Sequence, residues 1–410
     1  MKKIIANLKL DQLDKPDAFN LYRFKRYDEQ VSDFLTKNQP NPKNFFVLIW
    51  GIIIVVFWLI VSIISTSLYL ILILGCALAS IFKNNKSYKN DPYFERYLDH
   101  FYHKPALFYL KLLEGNFFSK IKIESPSLEV GVENGEVSLL HFNGQKIDWG
   151  SEYVPENIIG AAEKNIYNNL VCFDIKRGCF RNDTFSTILM VHTVDHFPEL
   201  EEALKEVYRM LKPGGICALS GLDKNFWDSE PISKILKNIG LKKTANKLIN
   251  THRQRLFLHN ELTIADFKTI AKNLNFEVTT ADSFLKTKIK RLWLVFFLYF
   301  ECLGATEIFK ILKKLNRFPT FLKKILKWSI IRIFYSEYLN DGKSQTEGCH
   351  YFFILKKPIP QETNSPPAEN PLVCPICRGN LTKSEANWYC DKCQKNYPYL
   401  NQKILIMLTK

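Results

Sequence analysis

Acidic side chains are scarce in this chain of 410 residues: 41 Asp and Glu stand against 56 Lys and Arg, a formal charge of +15. The imbalance suits an anionic partner, either nucleic acid or the negative face of a membrane, without choosing between them. Charge of either sign is missing altogether from Phe45 to Phe82, 38 residues in succession. So long a run excludes an ordinary soluble core helix. It begins 44 residues into the chain and is too long for a cleaved signal peptide. No interleaved aromatic and basic recognition motif is present, which argues against an RNA-reading surface.

As one helix the uncharged run would extend about 57 Å, nearly twice a ~30 Å hydrocarbon core. The expectation is a transmembrane hairpin over residues 44–83, turning near Ser62–Ser67, with a single pass or a re-entrant segment as alternatives. Lys37 and Lys43 before it, and Lys83, Lys86 and Lys89 after it, place both ends on the cytoplasmic side by the positive-inside rule. Residues 1–43 are of mixed charge, helical in part, and carry no legible chemistry.

Downstream, four blocks follow in order. Ser127–Gly131 is a short apolar strand, and Gly131 and Gly135 bracket a tight turn into a helix, where glycine allows close backbone approach to a ligand. Seventeen residues on, Glu152 in Gly150-Ser151-Glu152 falls at the carboxyl end of a second strand, the ligand-binding edge of open α/β sheets. There it can accept both ribose hydroxyls of an adenosine cofactor; Asp148 is a nearby competitor. Leu170–Phe173 reads as a third strand ending at Asp174, Thr187–Val191 as a fourth and Ile216–Ser220 as a fifth. Between the last two, Pro198–Leu211 has helical spacing and Lys212-Pro213-Gly214-Gly215 stops it.

These blocks resemble the core of the class I S-adenosylmethionine-dependent methyltransferases, and in particular the methyltransferase type 11-like group. The resemblance implies a Rossmann-like α/β fold with a seven-stranded sheet and S-adenosylmethionine as cofactor. Carried onto this sequence, it assigns Glu129, Gly131, Gly135, Glu152 and Asp174 to the cofactor. Two positions depart from the pattern: Glu133 replaces the middle glycine, and Ser186 replaces an Asp before the fourth strand. Glu133 brings bulk and negative charge near the cofactor's carboxylate, and backbone contacts survive if it keeps φ < 0. Candidate bases are His192 and His196 after the fourth strand, and His259; the family histidine matching His196 is usually structural.

The domain is expected over residues 90–357, opening on a helical lead-in, Asp91–Gly115. Leu222–His252 is basic and largely helical; Thr263 is an N-cap candidate with Asp266 in the first turn. Phe276–Thr280 and His350–Leu355 read as the last two strands, and residues 285–348 between them as an insertion. It contains Leu292–Phe300, nine apolar residues in a row, and a lysine-rich amphipathic stretch, Ile308–Tyr335, broken at Pro319. That pattern fits the membrane interface, attracted to anionic headgroups, with a helical cap on the domain as the plain alternative. On the first reading the insertion lies over the sheet's carboxyl edge and admits a lipid.

A Pro-rich polar linker, residues 358–371, leads to Cys374-Pro-Ile-Cys377 and, twelve residues later, Cys390-Asp-Lys-Cys393. Two such knuckles form a tetrahedral thiolate site for structural Zn²⁺, and a reducing cytoplasm disfavours disulfides. Four cysteine ligands leave no open position for substrate. Residues 372–410, with Tyr397-Pro398 before an apolar strand, resemble the small zinc ribbons that bind and activate methyltransferases. The ribbon is therefore expected to bind protein, in its own chain or a partner. The leading expectation is an integral membrane methyltransferase, with catalytic domain and ribbon cytoplasmic, acting on a lipid or lipid-linked acceptor at the bilayer. An RNA methyltransferase and a non-catalytic membrane scaffold are the alternatives.

Overall fold

The computed structural model describes residues 45–81, 91–302, 304–344, 347–359, 370–384 and 387–408. The N-terminal segment 1–43, the lysines flanking the apolar run and most of the linker lie outside the described residues.

The apolar run is one helix, Phe45–Ile81, of 37 residues rather than the expected hairpin. Residues 62–67 contain neither Gly nor Pro to break it, and two of their hydroxyls reach back to the helix's own carbonyls. Thr66 Oγ1 donates to the Ser62 carbonyl at 2.7 Å and Ser67 Oγ to the Ile63 carbonyl at 2.8 Å. Among the described residues it is the one helix long and apolar enough to cross a membrane, over Ile60–Ser80. One face is exposed, with Ile60, Ile64, Ile71 and Leu78, whereas Thr66, Tyr69, Ile73 and Ala77 are buried at helical spacing. That buried stripe packs on the insertion, whose helices are Lys290–Phe296, Glu307–Lys314 and Thr320–Asp341. Pro319 precedes the last of these, as its fixed φ and missing N–H require.

The sheet runs in the order β6-β7-β5-β4-β1-β2-β3-β11-β10-β9-β8. Its first seven members are β1 Ser127–Val130, β2 Ile147–Glu152, β3 Tyr167–Cys172, β4 Phe185–Met190, β5 Leu211–Leu222, β6 Glu277–Phe284 and β7 His350–Lys356. Strand β7 is antiparallel to both β5 and β6; β1 to β5 pair in parallel. The expected seven-stranded α/β sheet is present. Strand β5 starts at Leu211, so Lys212–Gly215 lies within it instead of stopping the preceding helix, Leu200–Met210.

The ribbon continues this sheet. Its strands are β8 Thr382–Lys383, β9 Asn387–Cys390, β10 Lys395–Leu400 and β11 Ile404–Ile406. Strand β11 lies parallel to β3, with Ile404, Leu405 and Ile406 opposite Leu170, Val171 and Cys172. Arg378 clamps the junction, donating to the Gly178 carbonyl at 2.7 Å and to Glu206 at 3.0 Å.

Leu405 is buried in this seam. Replacing it with proline removes an N–H from the ladder and an apolar contact. Hydrogen exchange in Leu170–Cys172 should then rise by at least an order of magnitude, about 1.4 kcal/mol of opening free energy, while β4 and β5 stay protected.

Candidate active site

The carboxyl ends of β4 and β5 meet a cluster that begins with Glu114. This residue lies on the lead-in helix Pro105–Phe118 and is fully buried. Four donors converge on its carboxylate. Ser220 Oγ donates to Oε1 at 2.6 Å, and His192 Nδ1 is in close contact with the same oxygen. Lys111 Nζ at 2.7 Å and His141 Nε2 at 3.0 Å reach Oε2. Burial alone would push this carboxyl up; the charges of His192 and Lys111 and the imidazole hydrogen bonds outweigh it and hold it well below the usual carboxylate range.

An ionised Glu114 only accepts, so both imidazoles present an N–H to it. Burial lowers the His141 pKa, leaving it neutral, and its Nδ1 accepts the Tyr97 hydroxyl at 3.0 Å. His192 sits just past β4 with φ +50°, a left-handed conformation sparsely used outside glycine. Its backbone N–H donates to Ser220 Oγ at 3.0 Å, so backbone and ring are both held. Nε2 remains buried and without a hydrogen bond among the described residues. With Nδ1 committed to Glu114, that nitrogen is the one left to exchange a proton with a ligand. His350, buried and kept neutral by burial, lies 5.1 Å from it between ring centroids, and Phe284 stacks on His350.

The other two candidate bases lie elsewhere. His196 Nδ1 donates to the Phe257 carbonyl at 3.0 Å and burial lowers its pKa, a structural placement. His259 is exposed, its backbone N–H bonded to the Asp195 carbonyl at 2.8 Å. Glu114 was not among the sequence candidates. Its available signal is that it is the lone acid in Pro105–Phe118, set in an apolar helix face.

The five residues expected to hold cofactor separate into three roles. Gly131 has φ +80°, and a Cβ there would stand 2.5 Å from Thr193 Oγ1, so both backbone conformation and packing require glycine. Gly135, the N-cap of the helix Glu136–His141, closes the turn. Glu129 is committed inside the fold, accepting from Ser138 Oγ at 2.7 Å and the Tyr167 hydroxyl at 2.8 Å, its carboxyl pushed up to about 7 by burial. Glu152 occupies the end of β2 and accepts the Tyr153 and Glu133 amides at 2.8 and 3.1 Å. Burial, then the charge of Glu133, push it up to about 7. Asp174 caps the turn after β3 by accepting the Lys176 amide at 3.0 Å.

Glu133 itself has φ +46°, so the condition of φ < 0 set out from the sequence is not met. The turn keeps the shape made for glycine, with a side chain that costs on the order of 1 kcal/mol or more. Fit to S-adenosylmethionine rests on this turn and on the Glu152 oxygens at the sheet edge. The donor chemistry is right for ribose hydroxyls, and Glu133 is the discordant member.

At the other end of the chain, the Sγ atoms of Cys374, Cys377, Cys390 and Cys393 lie within 4.8 Å of one another. A tetrahedral zinc site needs edges of about 3.8 Å, and Cys377 and Cys390 are already 3.6 Å apart. The Tyr397 hydroxyl meets Cys374 Sγ at 3.1 Å, a second-layer donor suited to a thiolate. The set is compatible with structural zinc.

A family model described as a methyltransferase domain matches residues 128–219. Those residues are a class I methyltransferase domain. The match spans β1 through most of β5 and includes Glu129, Glu152, Asp174 and His192. Solved structures that align include a SAM-dependent methyltransferase from Thermotoga maritima, at 15% identity over 64% of this chain and 94% of that one, TM-score 0.38. The complex between the Haloferax volcanii Trm112 methyltransferase activator and a methyltransferase aligns at 12% identity over 65% and 95%, TM-score 0.35. YcgJ from Bacillus subtilis aligns at 14% over 60% and 98%, TM-score 0.34. No curated protein sequence matches the chain.

Both raised carboxyls carry a sign for stability. A folded-state pKa of about 7 against an ordinary 4.5 means that folding favours the protonated acid. That contribution is fully present below the ordinary value and is lost as pH rises through about 7. The melting temperature of the parent relative to Glu129→Gln should therefore fall between pH 5 and pH 8, read by thermal denaturation.

Proposed function

We propose that the chain is a membrane-bound methyltransferase whose acceptor is a lipid or lipid-linked molecule, with the catalytic domain and ribbon cytoplasmic. The observation that carries this reading is the packing of the apolar helix directly onto the catalytic domain. Tyr69 donates to Glu301 Oε1 at 2.5 Å and Thr66 Oγ1 to the Ala305 carbonyl at 2.7 Å. An acceptor dissolved in the bilayer would then meet the sheet edge without crossing water. The +15 charge supports a cytoplasmic, anionic surface.

S-adenosylmethionine, when bound, supplies an electrophilic methyl on a positively charged sulfur. Glu152 would accept the ribose hydroxyls and the Gly131–Gly135 turn would hold the amino-acid end, with Asp174 on the adenine side. The work left to the protein is mostly alignment of the acceptor. Where the acceptor is a hydroxyl, His192 Nε2 would take its proton, and Glu114 would hold the ring in place and offset the charge it gains. Zinc in the four-cysteine cluster is structural, and the ribbon acts on its own domain by fixing β3.

Methyl-labelled S-adenosylmethionine given to the protein in its native membranes should place label in the organic extract. Label confined to protein or RNA would sink the lipid reading. His192→Ala should lower that rate by at least about a hundredfold without loss of cofactor binding, and Glu114→Gln should follow it.

Calorimetry isolates the cofactor site. Affinity for S-adenosylmethionine should rise as pH climbs through about 7, where Glu152 ionises, and drop at least about tenfold in Glu152→Ala. Glu133→Gly should strengthen binding and move the pH dependence lower. No binding by well-folded parent at any pH would leave a non-catalytic scaffold.

A further inference from the structure

Off the apolar helix, eleven large apolar side chains are exposed among the described residues, and eight of them fall in two patches. One is Ile311, Leu315, Phe321 and Ile325, on the insertion where an interfacial segment was expected from sequence. The other is Ile232, Ile235, Ile239 and Leu241, on and just beyond the helix Pro231–Asn238, where no membrane element was expected. Ile235 and Ile239 are 59% and 64% exposed. Spacings of three and four put the isoleucines on one helix face, and Lys234, Lys237, Lys242 and Lys243 rim it, all exposed.

We infer that Pro231–Leu241 is a second membrane-contacting element, lying in the interface of an anionic bilayer beside the apolar helix. This rests on the reading that Phe45–Ile81 crosses the membrane. The occupant is set by continuity. Glu230 caps the start of this helix, accepting Ile232 N at 2.9 Å, and it also accepts the Tyr299 hydroxyl at 2.9 Å. Tyr299 stands two residues before Glu301, the partner of Tyr69. The same five-residue turn, Phe297–Glu301, thus fastens both the apolar helix and the isoleucine-bearing helix.

Geometry then forces depth. The apolar helix lies flush on the domain from Thr66 to Ala77, about 16 Å of its length, within its membrane-length stretch. It cannot cross a bilayer there unless the domain surface around it enters the interface. That surface carries the two apolar patches. The insertion that packs on this helix also carries a groove of about 700 Å³ where Lys286, Lys288, Lys290, Arg291 and Lys343 face a single acid, Glu337. Apolar side chains bordered by lysines match acyl chains below anionic headgroups.

The test uses full-length protein in nanodiscs of phosphatidylcholine with a minor fraction of phosphatidylglycerol, with and without acyl-brominated lipid. A fluorescent amino acid is introduced in turn at Ile64, Ile235, Ile239 and Ile376, the last being an exposed ribbon position. Loss of emission at Ile235 and Ile239 comparable to that at Ile64, and none at Ile376, is the expected result. Quenching at Ile64 with none at Ile235 and Ile239 would overturn the second element and leave the membrane helix standing. No quenching at Ile64 would remove the membrane reading itself, and this inference with it.

Discussion

The Glu301 carboxylate joins the two halves of this molecule. It accepts the Tyr69 hydroxyl from the apolar helix and, on the other side, the amides of Ala106 and Leu107 at 2.7 and 3.0 Å. Those amides open the lead-in helix, whose own N-cap position, Lys104, supplies no side-chain bond. A carboxylate at a helix N-terminus satisfies orphan donors and meets the positive end of the dipole. Eight residues further, about 12 Å along the same helix, Glu114 reaches His192. One rigid element therefore runs from the apolar helix to the candidate base, and a displacement at Tyr69 carries through to the His192 ring.

Three buried or half-buried acids near the sheet edge show how neighbours set a charge. Glu114 is the most deeply enclosed and yet the most firmly ionised, because a lysine and two imidazoles fill its lone-pair positions. Glu129 has only hydroxyl donors and is pushed up to about 7. Glu152 has only backbone amides and a like charge beside it, and is pushed up as far. Burial acts on all three; the presence or absence of a cation decides the outcome. The acid that must hold a proton-accepting histidine is the one given cations. The acid that would meet ribose hydroxyls is left to titrate near neutrality, where a ligand's own donors can shift it.

The sheet was legible in the sequence because its signals are local. Apolar runs ending at Gly131, Glu152, Asp174 and His192 each report a strand within a few residues, and their spacing reports the crossovers. The cysteine knuckles are local in the same sense. The apolar run was legible as a stretch long enough to cross a membrane but not as one helix. A length argument favours two short helices, whereas Thr66 and Ser67 turn their hydroxyls back onto the helix and give the chain no reason to break. Glu114 escaped notice because three of its four partners stand 27, 78 and 106 residues away in the chain. What separates His192 from His196 and His259 is likewise long-range: of the three rings, His192 is the one that meets that carboxylate.

The last strand of the ribbon answers a problem posed by β3. Without the ribbon, β3 would be an edge, and an apolar edge invites pairing with other chains. Its first half carries exposed Asn168 and Asn169, and its second half, Leu170–Cys172, is buried. Strand β11 covers the second half alone. Polar side chains and a borrowed strand thus divide one edge between them. Nothing in the spacing requires a second molecule. From β7 to β11 the sheet order counts six intervals, about 29 Å at ~4.8 Å each, and the polar linker of residues 358–371 reaches about 46 Å when extended. A strand tethered at that range is present at high effective concentration, so β3 is closed by its own chain, just before the turn that Asp174 caps.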